Sequence, residues 1–546
     1  MEVAVKAEAA GPPVAAVTGI GALTLGGFVE QVCAAHSGRE ALVFDDPLDG
    51  GATVRWTYGD LLRETRAVAR SLVAAGVQPT DRVAILMANR PQAVAAFFGA
   101  ALTGAVVTPL STFSTRSELE QLLALAEPSV LLGQTRMGTR DFAADLAEAR
   151  CRIVLVGRDW DAFLLEGDAV SDEVADAVAA SVTPDSDGLL IFSSGTTALP
   201  KGVLHGHRAP TLQFWIQAQL FGRTPDTRMW TALPMFWTAG MNTAMGATLA
   251  AGGCWIMQEG FDPGQALALM VRERVIEPYT LPHQARALEE HPDWQATDLA
   301  SLRQVYGKSV FTRHPTVHGD PAWQMPVGWG MSETCAFISA HASDAGRDAM
   351  RRSMGKILPG VEVRVSDLNT GEVVDLESDG ELLVRGPTLM KHYLGKTPAE
   401  CFDAEGWLHT GDVGHLDTAG ELHWTGRRTE MIKTGGANVA PAEIEVQMRA
   451  CPDVRLARVL GIPDERLEQI AVMCVELTEG ADADADSLRA FLRARLAAYK
   501  VPKRVLIFDE GAIPLTSSAT KVRDDELRRL VMARLSGDAK HDRAGK

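Results

Sequence analysis

Positive charge is in short supply: 53 Lys and Arg against 70 Asp and Glu leave a formal net charge of −17 over 546 residues. A nucleic-acid surface needs a basic patch, so the balance argues against that partner, and any site for a polyanionic small molecule must be locally basic within an acidic whole. Cysteine is sparse and scattered. The seven (33, 151, 254, 335, 401, 451 and 474) form no CxxC pair and no Cys/His cluster with metal-ligand spacing, which argues against a zinc site. Without a signal peptide they read as reduced thiols of a cytoplasmic protein. Cys335, beside Glu333, reads as a small buried apolar residue rather than a catalytic thiol. No apolar run approaches the ~18–20 residues that span a bilayer. The nearest, 93–107, is interrupted by glycines and reads as a buried helix followed by a strand. Internal repeats are absent too. What is present, 46% apolar and 23% charged residues in a chain too long for one core, predicts a soluble globular protein of two or more domains.

Residues 1–17 are rich in Ala, Pro and Gly and are predicted disordered, as is the polar tail 536–546. Between them short apolar runs alternate with helical stretches: a strand at Arg82, a helix from Pro91, a strand near Val106, then strands at 129–132 and 152–156. Further on come a helix near 208–221, a strand at 229–233, a helix at 241–251 and a strand at 254–258. This rhythm predicts an α/β fold of mostly parallel sheets flanked by helices. Residues 355–425 hold short strands with turn signals, a small β-rich subdomain. A boundary is expected at Arg427–Glu430, dividing a large domain over 18–427 from a smaller α+β domain over 428–535. The latter's helix from Ser487 carries Leu488, Phe491, Leu492 and Leu496 on one face.

The stretch from Ile191 to Val203 carries the most chemistry. An apolar strand runs into Ser193, Ser194, Gly195, Thr196 and Thr197, with Lys201 and Gly202 following. Consecutive backbone N–H groups and four hydroxyls offer donors to phosphate oxygens, a glycine lets the backbone close around them, and Lys201 adds a compact positive charge. The spacing is not that of a Walker A loop.

Six further segments follow in order: Leu233–Gly240 (LPMFWTAG), Gly328–Thr334 (GWGMSET), Gly380–Pro387 (GELLVRGP), Gly406–Asp412 (GWLHTGD), Gly426–Glu445 and Pro514–Lys521 (PLTSSATK). Together with the hydroxyl-rich loop they resemble the motif series of the adenylate-forming superfamily, in its acyl-CoA synthetase branch, over nearly the whole chain. The resemblance implies a small C-terminal domain that is mobile, ATP, CoA and Mg²⁺ as cofactors, and a carboxylic acid as substrate. It also implies roles. Thr196, Thr197 and Lys201 would hold phosphates, with Ser193, Ser194 and Gly195 in the same loop. Glu333 would hold Mg²⁺, as a hard carboxylate suits. Trp329 and Gly330 would flank the adenine, with Ser332 in place of the usual Thr near the phosphate. Asp412 and Arg427 would take the ribose, and Lys521 would bridge carboxylate and α-phosphate. Thr434, Gly435 and Gly436 would face the pantetheine arm of CoA after the small domain turns about a hinge at Thr429. Met241, Tyr306, Gly307 and Lys308 fall where relatives build the acyl pocket, Lys308 reading as a residue that points to solvent, and Trp237 falls where relatives carry a His or an aromatic near the pantetheine tunnel or, equally, in the pocket wall. His205 and His207 read as surface imidazoles.

Three positions depart from the pattern: Ala198 for the loop's second glycine, Thr429 for the usual hinge Asp or Lys, and Thr520 before Lys521 with a one-residue insertion over Thr516–Thr520. A Cβ forced to positive φ costs about 1–2 kcal/mol, and misplacing one transition-state donor roughly 2.7–4 kcal/mol. The main expectation is an ordinary two-step acyl-CoA ligase. An alternative keeps only transfer from preformed acyl-AMP to CoA and requires a separate adenylating enzyme. A further one is a non-catalytic nucleotide- or acyl-AMP-binding protein, against which the retention of Lys201, Glu333, Asp412 and Lys521 argues.

Overall fold

The computed structural model describes residues 5–193, 200–428, 431–434, 437–439, 441–464, 467–496, 500–515 and 522–544. The run at 93–107 shows how its core is made. Pro91 sits in the first turn of the helix Pro91–Leu102, where its missing N–H costs nothing. Eleven of that helix's twelve residues are buried, as expected of a helix that is apolar all round. The neighbouring helix Tyr58–Ala74 is capped by Thr57 and Asp60 and turns Leu61, Thr65, Val68 and Leu72 inward, spaced as one helical face.

The helix Pro91–Leu102 packs on a seven-stranded sheet ordered His392–Tyr393, Lys201–Gly206, Asp187–Ser193, Val106–Pro109, Arg82–Leu86, Val130–Gln134, Arg152–Val156. The five strands from Asp187–Ser193 onward pair in parallel, and the first two are added antiparallel. A five-stranded sheet repeats the scheme, with Glu277–Pro278, Arg228–Thr231, Cys254–Met257 and Glu40–Asp46 parallel and Ala52–Thr57 antiparallel at the edge. In such sheets ligands bind beyond the carboxyl ends of the strands. Ser193 is the last residue of one such strand, and the Leu233–Gly240 segment follows the end of another, Arg228–Thr231.

By compactness the chain divides into two units: one of residues 1–8, 364–383 and 409–546, the other of 9–363 and 384–408. The boundary expected at Arg427–Glu430 therefore falls inside the first unit rather than at its edge. That unit holds the long antiparallel pair Val454–Asp464 and Glu468–Leu477, with Arg504–Phe508 parallel to the latter. Against it lies the helix Ala485–Arg493, which starts from an Asp484–Ser487 capping box and buries Leu488 and Leu492, with Phe491 and Leu496 packed beside them.

Both expected disordered ends need correction. Residues 8–16 contain the strand Glu8–Ala10 and a 3₁₀ turn at Val14–Ala16. Ala7 is buried and its N–H bonds to the Val374 carbonyl at 2.9 Å, so a sheet edge supplies what the sequence itself does not. At the other end the helix Asp524–Ala544 runs through most of the polar tail. Asp524, Asp525 and Glu526 complement its N-terminal dipole, and Leu527 and Val531 anchor it in an apolar cluster.

Candidate active site

Ser193 and Lys201 are directly opposed across the antiparallel pair of strands that ends in the hydroxyl-rich loop. Ser194, Gly195, Thr196, Thr197 and Ala198 lie outside the described residues. The exposed Lys201 ammonium stands 5.3 Å from the ring centroid of Tyr393, and the Tyr393 hydroxyl donates to Glu333 Oε1 at 2.8 Å. Sheet register makes this meeting possible, because Tyr393 pairs with Val203 and His392 with Leu204. The Leu394 N–H bonds to Gly202 O and the Met390 N–H to Glu333 O, each at 2.7 Å. The sequence held no sign of Tyr393, whose contacts depend on a strand pairing across about 190 residues of chain.

Glu333 sits in the 3₁₀ turn Ser332–Thr334, after the strand Gly328–Gly330. A Cβ on Gly330 would lie 1.8 Å from the Ala336 carbonyl oxygen, so only glycine fits. Thr334 staples the turn: its hydroxyl donates to Ala336 O at 2.7 Å and accepts from the Met331 N–H at 2.9 Å. Trp329 is buried, opposite Ser339 in the adjoining strand. Cys335 is fully buried, and burial pushes its thiol up to about 12, which removes it as a nucleophile at neutral pH.

The two imidazoles expected at the surface are instead buried. His205 lies on an inner strand of the large sheet, and its Nε2–H donates to the Ser332 carbonyl at 2.8 Å. His207 Nδ1 accepts from the Leu25 N–H at 3.3 Å. Loss of solvent lowers each to about 4, so both are neutral at pH 7.

On the Leu233–Gly240 side, Asn89 pins the segment by donating to Leu233 O at 2.8 Å and accepting from the Met235 N–H at 3.0 Å. A Cβ on Gly240 would meet Pro234 O at 1.9 Å. Half-buried Trp237 packs edge-on against Phe113 and Phe236, with centroids 5.9 and 5.8 Å away. The helix expected over 241–251 begins earlier, as a π-helix over Ala239–Gly246 with Met241 buried in it, and continues as the α-turn Ala247–Ala250. Gly307 and Lys308 form a turn. Tyr306 is 41% exposed and Lys308 is exposed, so the solvent reading of Lys308 stands.

In the other unit, Asp412 and Arg427 are register partners, and Arg427 Nε lies 2.7 Å from Asp412 Oδ1. The carboxylate is 5% exposed and the guanidinium half-exposed. The Thr410 hydroxyl accepts from the Asp412 N–H at 3.0 Å and donates to Leu382 O at 2.6 Å, fixing that strand. Thr434 is buried at the end of the strand Ile432–Thr434. Thr429, Gly435, Gly436, Thr516–Thr520 and Lys521 lie outside the described residues.

Among the described residues no three His, Cys, Asp or Glu converge as a metal cluster, and no helix is long and apolar enough to cross a membrane.

The model of the AMP-binding enzyme family matches residues 29–394, and that of the AMP-binding enzyme C-terminal domain matches 443–520. A feruloyl-CoA synthase of Amycolatopsis sp is 34% identical over 483 residues, covering 87% of this chain and 93% of the relative. An indoleacetate–CoA ligase of Aromatoleum aromaticum is 33% identical over 488 residues, with 87% and 93% covered. The crystal structure of ATP-bound MatB from Rhodopseudomonas palustris superposes with a TM-score of 0.71 at 25% identity, covering 93% of this chain and 99% of that one.

Proposed function

From the premise that the chain belongs to the AMP-binding enzyme family and is an acyl-CoA ligase, we propose that it activates an acid bearing an aromatic ring and completes both half-reactions itself. A carboxylate oxygen attacks the α-phosphorus of ATP, forming the acyl–phosphate bond as pyrophosphate leaves. The CoA sulfur then attacks the acyl carbonyl, and AMP departs with the electrons of the broken C–O bond. The observation that carries the reading is the joining of Lys201, Tyr393 and Glu333, a phosphate-binding cation and a hard carboxylate held by one phenol.

In this reading Ser193, the loop 194–197 and Lys201 hold the phosphates, Trp329 and Gly330 take the adenine, and Asp412 with Arg427 takes the ribose. Lys521 steadies charge developing between carboxylate and α-phosphate. Glu333 fits a Mg²⁺ site, since that ion is commonly bound by one or two carboxylates plus substrate phosphates, and it supplies charge neutralisation at those phosphates. Trp237 and Met241 wall the acid, and their apolar bulk suits an aryl group. Thr434, Gly435 and Gly436 serve the pantetheine arm once the C-terminal domain turns about Thr429. Seven free thiols suit a reducing, cytoplasmic setting.

The test pairs the half-reactions on one series of aryl and aliphatic acids: ATP-dependent adenylate formation, and thioester formation from synthetic acyl-AMP. Activity in both, greatest with aryl acids, is expected. Thioester formation alone would assign the lesion to Ala198 and the Thr516–Thr520 segment. Failure of both would overturn the reading.

A further inference from the structure

The five-stranded sheet gathers charge at the amino ends of its parallel strands, the end opposite to the Leu233–Gly240 segment. Arg228 opens the strand Arg228–Thr231 and Glu40 opens Glu40–Asp46, each parallel to the strand between them. Beside them lies Glu273, which follows the helix Pro263–Arg272 and whose side chain is 2% exposed. Three guanidiniums close on that carboxylate. Arg228 Nη2 donates to Oε2 at 2.8 Å and Arg272 Nε to Oε1 at 2.7 Å, while Arg55 donates to both oxygens, at 3.0 and 2.6 Å. Arg228 and Arg55 also share Glu40, and Arg272 reaches Asp45 through both terminal nitrogens. Three cations thus meet three carboxylates, and the cluster is balanced within itself.

A pocket of about 480 Å³ opens over this cluster. That size lies within the roughly 300–1,000 Å³ of small-molecule sites, but the walls are ionic rather than apolar. Beyond the paired groups its lining includes Arg274, Ser301 and Arg303, with Ile276 the one apolar residue. Arg274 and Arg303 are exposed, and among the described residues neither meets a carboxylate. Arg303 spends one nitrogen on the Ala300 and Leu302 carbonyls, which leaves the rest of its fork free. Asp298 and Asp320 accept instead from the Ala300 and Ala322 N–H groups, at 3.0 and 2.9 Å. Arg274 also holds a φ of +50° just past the helix end, where glycine is the usual residue. Arg272 already supplies a cation to the last turn of that helix, so the dipole does not call for a second. Two unmatched guanidiniums therefore face one pocket in a chain whose net charge is −17, and one of them is kept against backbone strain.

We propose that this pocket is an anion site apart from the catalytic centre, taking the phosphate group of a small molecule between Arg274 and Arg303, with the Ser301 hydroxyl as a further donor. A guanidinium fork matches two phosphate oxygens at once, and a doubly charged group offsets two free cations. Glu40 and Glu273 also line the pocket, but the arginines bonded to them neutralise the repulsion they would exert.

The experiment titrates the full chain by calorimetry with inorganic pyrophosphate and, separately, with glucose 6-phosphate. Wild type is compared with the double variant Arg274→Gly, Arg303→Gln. Pyrophosphate also suits the catalytic loop, so the readout is the equivalent that depends on the two arginines. The double variant is expected to lose one equivalent, or to bind it at least about ten-fold more weakly, while KM for ATP stays within about two-fold. Glucose 6-phosphate separates the sources. If it fills the same arginine-dependent site the ligand is an organic phosphate, and if pyrophosphate alone fills it the ligand is inorganic. Binding unchanged in the double variant, no saturable binding of either anion, or the same heats from sodium chloride at equal ionic strength would each overturn the proposal. Arg274→Gly relieves the positive φ and should melt no lower than wild type. If the double variant does not fold, Arg274→Gly alone takes its place with the same readout.

Discussion

The Tyr393 hydroxyl donates to Glu333 Oε1 at 2.8 Å, joining an edge strand of the large sheet to a motif turn 60 residues earlier in the chain. Removing that hydroxyl with Tyr393→Phe keeps the ring beside Lys201 and deletes one hydrogen bond to a carboxylate. A loss of about 1–2 kcal/mol in transition-state stabilisation is expected, a fall of roughly 5- to 30-fold in kcat/KM for adenylate formation. Mg²⁺ titration of the same variant should show a raised requirement. Thioester formation from supplied acyl-AMP should change little, and an equal fall in both half-reactions would contradict the assignment.

Much of this architecture was legible from residue order. The 93–107 run became a buried helix and a strand as read, because apolar composition on every face leaves few alternatives. The motif segments marked Glu333, Asp412 and Arg427 by chemical type. What escaped was set by long-range pairing. Tyr393 is a lone phenol in a short run, and its contacts with Glu333 and Lys201 exist only because that run pairs with the Lys201–Gly206 strand. His205 and His207 looked like surface residues because their stretch has little hydrophobic periodicity, yet an antiparallel strand on either side of Lys201–Gly206 encloses His205. Asn89 carries no motif at all, since it bonds backbone groups alone, the Leu233 carbonyl and the Met235 N–H.

Asp412→Asn tests the ribose assignment. Asparagine preserves size but halves the acceptor capacity offered to two vicinal hydroxyls and removes the charge beside Arg427. KM for ATP should rise roughly 10- to 100-fold, the range for one or two charge-assisted hydrogen bonds. Because Arg427 is half-exposed, the ion pair itself contributes little stability, and the melting temperature should move by no more than about 2–4 °C. Melting curves with and without ATP separate the two effects. The variant should melt near the wild type alone and lose most of the ATP-induced stabilisation.

Gly330→Ala places a Cβ 1.8 Å from the Ala336 carbonyl oxygen, closer than any real contact, and the obstacle is backbone. Either the strand Gly328–Gly330 or the Cys335–Phe337 segment must shift. Overpacking of this kind costs about 1–3 kcal/mol. The larger expected effect is functional, since the shift passes directly into the turn bearing Glu333. Adenylate formation should fall by at least about 100-fold while the protein remains folded, because a displacement near 1 Å at a reacting site is sufficient. Circular dichroism and the two half-reaction assays on the same sample decide it.

His207 makes stability depend on pH in a definite direction. Burial lowers it from the ordinary 6.5 to about 4, opposed by Asp187 and reinforced by Lys391. Between those values the unfolded chain binds a proton that the folded protein refuses. The stabilisation is therefore complete above about pH 6.5 and is lost as pH falls toward 4, amounting to about 2 kcal/mol at pH 5 for this one group. His207→Asn keeps an acceptor for the Leu25 N–H, which Nδ1 receives at 3.3 Å, and removes the titrating ring. Urea denaturation at pH 7.5 and 5.0 should show the wild type losing more stability than the variant by about that amount. Equal losses in the two proteins would mean that His207 takes up its proton in the folded state, and that its burial does not exclude charge.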